Sequence, residues 1–146
     1  MDIKEVYNQL VKEILPSNIK INEEMKKHTS FKIGGCADIF VIAKSLEDIK
    51  SVLQVVKENK IKLTIIGNGT NILVKDNGIR GIVLKVDLQN IEIQKENQDV
   101  EMQVYYDKVA EEEEFYNYNK VIVNVGAGVK LAALARNFIK RRNRGI

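Results

Sequence analysis

The sequence predicts a mixed domain of α-helices and short β-strands, and three observations predict it. Apolar residues at helical spacing open the chain, with Ile3, Val6, Tyr7, Leu10, Val11 and Ile14 on one stripe before Pro16 stops the helix. A strand, a helix, a second strand and a glycine loop follow, the order that usually marks two parallel strands joined by a crossover helix. Beyond them come several short apolar runs separated by turn residues, as in a sheet.

Each element has local grounds. "INEEMKKHTSFKIGGCADIFVIAKS" reads as a polar entry, a break at Gly34 and Gly35, and a short apolar strand at 39–42. Ser45 with Asp48 three residues on is a capping-box pattern, for a helix whose buried stripe is Leu46, Ile49, Val52 or Leu53, and Val56. "IKLTII" follows as a strand and ends at the glycines of "GNGTN". "NILV" and "GIVLKV" read as two further strands around "KDNG", where Asn77 and Gly78 signal a turn. "IEIQ" and "VEMQVYY" read as antiparallel strands joined by "KENQD", and "DKVAEEEEFYNYNK" as a solvated acidic excursion without a period. "VIVNV" reads as a last buried strand, broken by "GAG" at 126–128. Leu131, Leu134, Ala135, Phe138 and Ile139 then mark a closing helix, whose Lys140, Arg141, Arg142 and Arg144 suit the negative end of its dipole.

Composition limits the function. With 45% hydrophobic and 29% charged residues the chain can bury a core and stay in solution. No apolar run reaches the roughly 18 residues a membrane span needs, and the charged start is unlike a signal peptide, so the expected location is cytoplasmic. One cysteine, Cys36, leaves no internal disulfide, and one histidine, His28, leaves no histidine-rich metal site. A net charge of +3 without a broad basic surface argues against a nucleic-acid reader. His28 reads as a surface or supporting residue rather than a catalytic one, and Cys36 as a small half-buried residue rather than a reactive thiol.

The chemistry concentrates in "GNGTN". Gly67 and Gly69 follow a strand that ends at Ile66, and the donors Thr70 and Asn71 come next. A P-loop would need Gly-Lys-Ser/Thr where this chain has Asn71 and Ile72, and a Rossmann fingerprint would need a third glycine at Ile72 and a helix after it. Two readings remain: a plain tight turn, or a loop whose bare backbone lets successive amides converge on an anion.

"HTSFKIGGCADIFV", "IIGNGTNILVKDNGIRGIVL" and "VNVGAGVKLAALA", in this order, resemble the first half of the UDP-N-acetylenolpyruvoylglucosamine reductase family. The middle stretch matches the family pattern Gly-x-Gly-Ser/Thr-Asn-Leu/Ile-Leu-Val-x-Asp-x-Gly at Gly67, Gly69, Thr70, Asn71, Ile72, Leu73, Val74, Asp76 and Gly78. The resemblance implies an α+β FAD-binding domain of the vanillyl-alcohol-oxidase type, made of two small α/β subdomains with the flavin between them. Residues 1–18 would be an N-terminal helix and 19–146 the first portion of that domain. In the family, the loop corresponding to Ile66, Gly67, Asn68, Gly69, Thr70, Asn71 and Ile72 wraps the FAD pyrophosphate with its amides. The glycine pair Gly34 and Gly35, and the stretch Gly126, Ala127 and Gly128, would add cofactor contacts, though turns alone would also account for those glycines.

The family's members are NADPH-dependent enzymes that reduce UDP-N-acetylglucosamine enolpyruvate to UDP-N-acetylmuramate, a step of peptidoglycan synthesis and so of cell shape and division. Their catalytic serine, arginine and glutamate lie in later motifs that this chain lacks. No catalytic residue is therefore expected here, and the chain is expected to be an N-terminal fragment, inactive alone. Lys32 stands where many members have arginine, and the stretch 105–120 is longer than the family's usual hairpin. The rival readings are a stand-alone flavin- or nucleotide-binding or interaction module without catalysis, and another flavin oxidase of the same superfamily.

Overall fold

The structure, a computed structural model, describes residues 2–95 and 121–142. Helix α1 (Ile3–Leu10) starts at Asp2, whose carboxylate accepts from the amides of Lys4 at 2.9 Å and Glu5 at 3.4 Å. Those amides have no partner within a first helical turn. Regular helix ends sooner than the apolar stripe does, and a looser turn carries Ile14 into the core beside Val6 and Leu10. Pro16 then opens a short 3-10 turn (Pro16–Asn18), a position that suits its fixed φ.

The segment expected to be a polar entry is a strand. β1 (Ile19–Glu24) pairs antiparallel with β2 (Cys36–Ala43), which is longer than the expected 39–42. β1 lies at the edge of its sheet, where only Ile19 is buried, so its sequence carries little strand signal. Helix α2 (Leu46–Asn59) has the expected capping box: the Asp48 amide donates to Ser45 Oγ at 3.0 Å and the Ser45 amide to Asp48 Oδ2 at 3.1 Å. Its buried face is largely the expected one: Val52 is buried and Ile49 and Val56 pack against the core, but Leu46 is exposed and Val55 is buried as well, on a helix tied to α1 by Asn59 Nδ2 donating to Gln9 Oε1 at 2.7 Å.

β3 (Leu63–Ile66) and β4 (Ile79–Val86) complete a four-stranded sheet of order β1-β2-β4-β3. β2 and β3 run parallel, as a crossover helix requires, but they are not neighbours: β4 lies between them and is parallel to both. Ile82, Val83 and Leu84 of this central strand are fully buried. Both sheet faces are covered. Ile39, Val41, Ile82 and Leu84 meet α1 and α2, while Phe40 and Val83 meet Met25, Ile66 and Val74 in a second cluster.

"NILV" does not form the expected strand. It is irregular chain that drops Val74 into the second cluster with Ile72 packed against it, and leaves Leu73 exposed. Its three successive apolar residues suit a strand, but the neighbouring backbone pairs with a loop: the Lys75 carbonyl accepts the amides of Gly35 at 3.0 Å and Gly78 at 2.9 Å. The turn expected at Asn77 and Gly78 is present, with Gly78 at φ 73.

A smaller unit follows. β5 (Ile91–Lys95) pairs antiparallel with β6 (Val121–Val125), and α3 (Leu131–Arg142) comes after a turn at the "GAG" stretch. The expected "VEMQVYY" strand and the acidic excursion lie outside the described residues. β6 is not the buried strand its composition indicates: Val125 is 39% exposed, and Leu131 at the start of α3 is 82% exposed. Two strands and one helix supply too little surface to cover these side chains. Among the described residues, no helix is long and apolar enough to cross a membrane.

Candidate functional site

The loop after β3 is anchored at one end by Ile66, which is buried in the second cluster. Its two glycines differ in kind. Gly69 has φ +66, and a Cβ there would collide with the His28 carbonyl oxygen, so packing alone demands glycine. Gly67 has neither a left-handed φ nor any atom within 4 Å of where a Cβ would stand. Nothing among the described residues requires its bareness. Among the described residues, the amides of Asn68, Gly69, Thr70, Asn71 and Ile72 donate to no carbonyl or side-chain oxygen. Successive free amides next to open space can gather around an anion.

Beside the loop is a cleft of about 390 Å³, which Gly67 does not line. Asn68 and Thr70 line it from the loop, and Lys27, His28, Thr29 and Ser30 form the facing rim. Lys85 and Asp87 enter from the end of β4, with Gln89 and Lys130 beyond them. The two rims are fastened, since the Ser30 amide donates to the Gly69 carbonyl at 3.0 Å.

The other expected site residues fall around this cleft, not all of them in it. Gly34 and Gly35 are spent on packing: Cβ atoms there would collide with Val74 and with the Asp76 carbonyl, so the pair lets 34–35 lie against 74–78. Gly126 and Ala127 line a different hollow of about 620 Å³, between the start of α2 and β6. The amides of Gly126 and Gly128 are engaged, donating to the carbonyls of Asn90 at 2.8 Å and Leu88 at 2.9 Å. Gly128 nonetheless borders the cleft, because its carbonyl accepts from Gln89 Nε2 at 2.9 Å and Asn68 Nδ2 at 3.5 Å. Asn71 and Ile72 are not among the residues that line the cleft, and the Ile72 side chain packs against the second cluster.

His28 lines the cleft and is tied into the fold on two sides. Its ring stacks on Phe40 with centroids 4.0 Å apart, and its Nε2 lies 2.9 Å from Glu23 Oε1. Burial by itself would raise the Glu23 pKa. Hydrogen bonds from His28 and Lys20, with the charges of Lys20 and Lys27, outweigh it and hold the carboxyl below the usual range. Lys27 is pushed up, chiefly by its hydrogen bond to Glu24 at 3.1 Å and then by the charges of Glu23 and Glu24. Cys36 is half-buried, in keeping with its expected role.

The cleft's lysines, with Asp87 and Gln89, are absent from the sequence-based expectation. One signal pointed to them: Lys85 interrupts the otherwise apolar "GIVLKV" of a central strand. The assembled donors suit a diphosphate. Among the described residues, no group of three or more His, Cys, Asp or Glu side chains is placed to hold a metal ion.

Known proteins agree with this chemistry. Residues 37–104 match the family model of the FAD binding domain. The chain is 48% identical over 86 residues to the UDP-N-acetylenolpyruvoylglucosamine reductase of Clostridioides difficile (strain 630), covering 59% of this chain and 28% of that protein. It is 51% identical over 75 residues to the protein of the same name from Listeria monocytogenes serotype 4b (strain CLIP80459), covering 51% of this chain and 25% of that one. The match thus spans little more than a quarter of the length of these curated relatives. A solved alkyldihydroxyacetonephosphate synthase aligns at TM-score 0.45 and 17% identity, over 60% of this chain and 19% of its own. Residues 37–104 are thus similar to an FAD binding domain, and 59% of this chain is similar to proteins named UDP-N-acetylenolpyruvoylglucosamine reductase.

Proposed function

We propose that this chain is the FAD-binding portion of an NADPH-dependent reductase that converts UDP-N-acetylglucosamine enolpyruvate to UDP-N-acetylmuramate, a cytoplasmic step of peptidoglycan synthesis that serves cell shape and division. The names of its relatives support the substrate and the reaction class. The FAD-binding portion takes in residues 19–146, and 1–18 brace it by adding Val6, Leu10 and Ile14 to the core of the larger sheet.

Bound FAD supplies the capacity to accept and pass on hydride; the residues of this chain hold it. Amides of Asn68, Gly69, Thr70, Asn71 and Ile72 donate to the diphosphate oxygens, and the side chains of Asn68 and Thr70 add donors at the same rim. Ile66 fixes the start of the loop. Gly34 and Gly35 set the height of the 74–78 backbone behind it, and Gly128 borders the opposite side of the cleft through its carbonyl, while Gly126 and Ala127 stand in the neighbouring hollow. No residue of this chain is assigned a catalytic role.

The observation that carries this reading is Gly67, the loop glycine whose missing side chain no protein contact explains. Flavin fluorescence on titration with the purified protein tests it. The wild-type chain is expected to quench FAD saturably. Gly67→Ala, which meets no protein atom, is expected to keep the melting temperature and weaken FAD by about tenfold, the loss of one or two good hydrogen bonds. No binding by the wild type, or equal binding by the variant, would overturn the reading.

A further inference from the structure

The cleft beside the glycine loop collects three lysines from three separate parts of the chain. Lys27 follows β1, Lys85 lies in β4, and Lys130 leads into α3 of the smaller unit. Lys27 is held by Glu24 at 3.1 Å and Glu23 at 3.9 Å. Lys85 and Lys130 have no carboxylate within ion-pair distance among the described residues, although Asp87 lines the same cleft. Lys27 and Lys130 are exposed and Lys85 is half-buried, so solvent screens their mutual repulsion, but three cationic side chains around one hollow still make it attractive to an anion.

The lysines also stand on different bodies. Lys85 belongs to the four-stranded sheet, Lys27 to the 3-10 turn (Met25–Lys27) that follows its edge strand, and Lys130 to the segment leading into α3. Among the described residues, Asn68 Nδ2 donates to the Gly128 carbonyl at 3.5 Å, and Gln89 Nε2, in the connection from β4 to β5, donates to it at 2.9 Å.

We propose that Lys27, Lys85 and Lys130 form a clamp for a diphosphate, which neutralises their repulsion and draws the smaller unit onto the larger sheet. The clamp rests on the reading of the cleft as an anion site, and it assigns the anion's charge recognition to side chains outside the glycine loop. The amides fix position and the lysines supply charge. Lys27 keeps its carboxylate partners and adds a contact at the rim, whereas Lys85 and Lys130 gain their first partner when the anion arrives. The shared chemistry is a diphosphate, whether free or within a dinucleotide.

The test measures binding of inorganic pyrophosphate by calorimetry and of FAD by fluorescence, at low and high salt, for the wild-type chain, Lys85→Gln, Lys130→Gln and the double variant. Thermal melting with and without pyrophosphate reads the coupling between units. Each single change is expected to weaken both ligands about three- to fivefold, the scale of one partly exposed charge pair. The double variant is expected to flatten the salt dependence, since screening acts on the charge contacts, and pyrophosphate should raise the melting temperature of the wild type more than that of Lys130→Gln. FAD bound equally by the wild type and both lysine variants, with one salt dependence, overturns the clamp and leaves the flavin reading intact. Pyrophosphate bound in a lysine-dependent way with no binding of FAD supports the clamp and removes the flavin reading. If neither ligand binds, both fall.

Discussion

Glu23 shows how one side chain holds several neighbours in place. Its Oε1 meets His28 Nε2 at 2.9 Å and Lys20 Nζ at 3.3 Å, and its Oε2 lies 3.9 Å from Lys27 Nζ. A carboxyl held below its unfolded pKa contributes stability that is present above the unfolded value, about 4.3 for glutamate, and is lost as pH falls through the folded value. Stability should therefore decline from about pH 5 downward, and Glu23→Gln should flatten that decline while lowering stability near neutrality. Urea melts of the two proteins at several pH values check this; parallel curves would show that Glu23 does not titrate with folding. At this scale the sequence was partly legible. His28 read as a supporting residue, but its partner Glu23 sits in a stretch taken for a polar entry, so the pair was invisible until β1 was seen to fold back beside it.

Elements were legible where their signals are local. The capping box at Ser45 and Asp48 depends on residues three apart, and it is present as expected. Removing its hydroxyl with Ser45→Ala should cost about 1 kcal/mol and leave ligand affinity unchanged, a result that denaturant unfolding can read. A loss near zero would mean that Asp48 alone holds the first turn. Elements set by distant partners were not legible. β1 is a strand because it pairs with β2, whatever the polarity of "INEE". "NILV" is apolar enough for a strand, yet its neighbour Lys75 pairs with Gly35 and Gly78, and only Val74 is buried. The insertion of β4 between β2 and β3 is likewise fixed by long-range pairing that no local pattern encodes. Of the candidate site, the glycine loop was legible because its motif is contiguous. The lysines were not, because three segments far apart in sequence bring them together.

At the scale of the whole molecule, two units meet along a cleft whose rims come from the larger sheet and whose far side comes from the smaller one. The fastening of the rims has a practical result. Gly69 lies against the His28 carbonyl and receives the Ser30 amide, so a displacement of the glycine loop must carry the 27–30 segment with it. The chain has one imidazole, and it rides on that segment. Its C2 proton thus offers a solitary, self-assigned beacon in a one-dimensional proton NMR spectrum, expected to move with pyrophosphate in step with the calorimetric isotherm; a resonance that stays put through saturation would mean that the two rims travel independently.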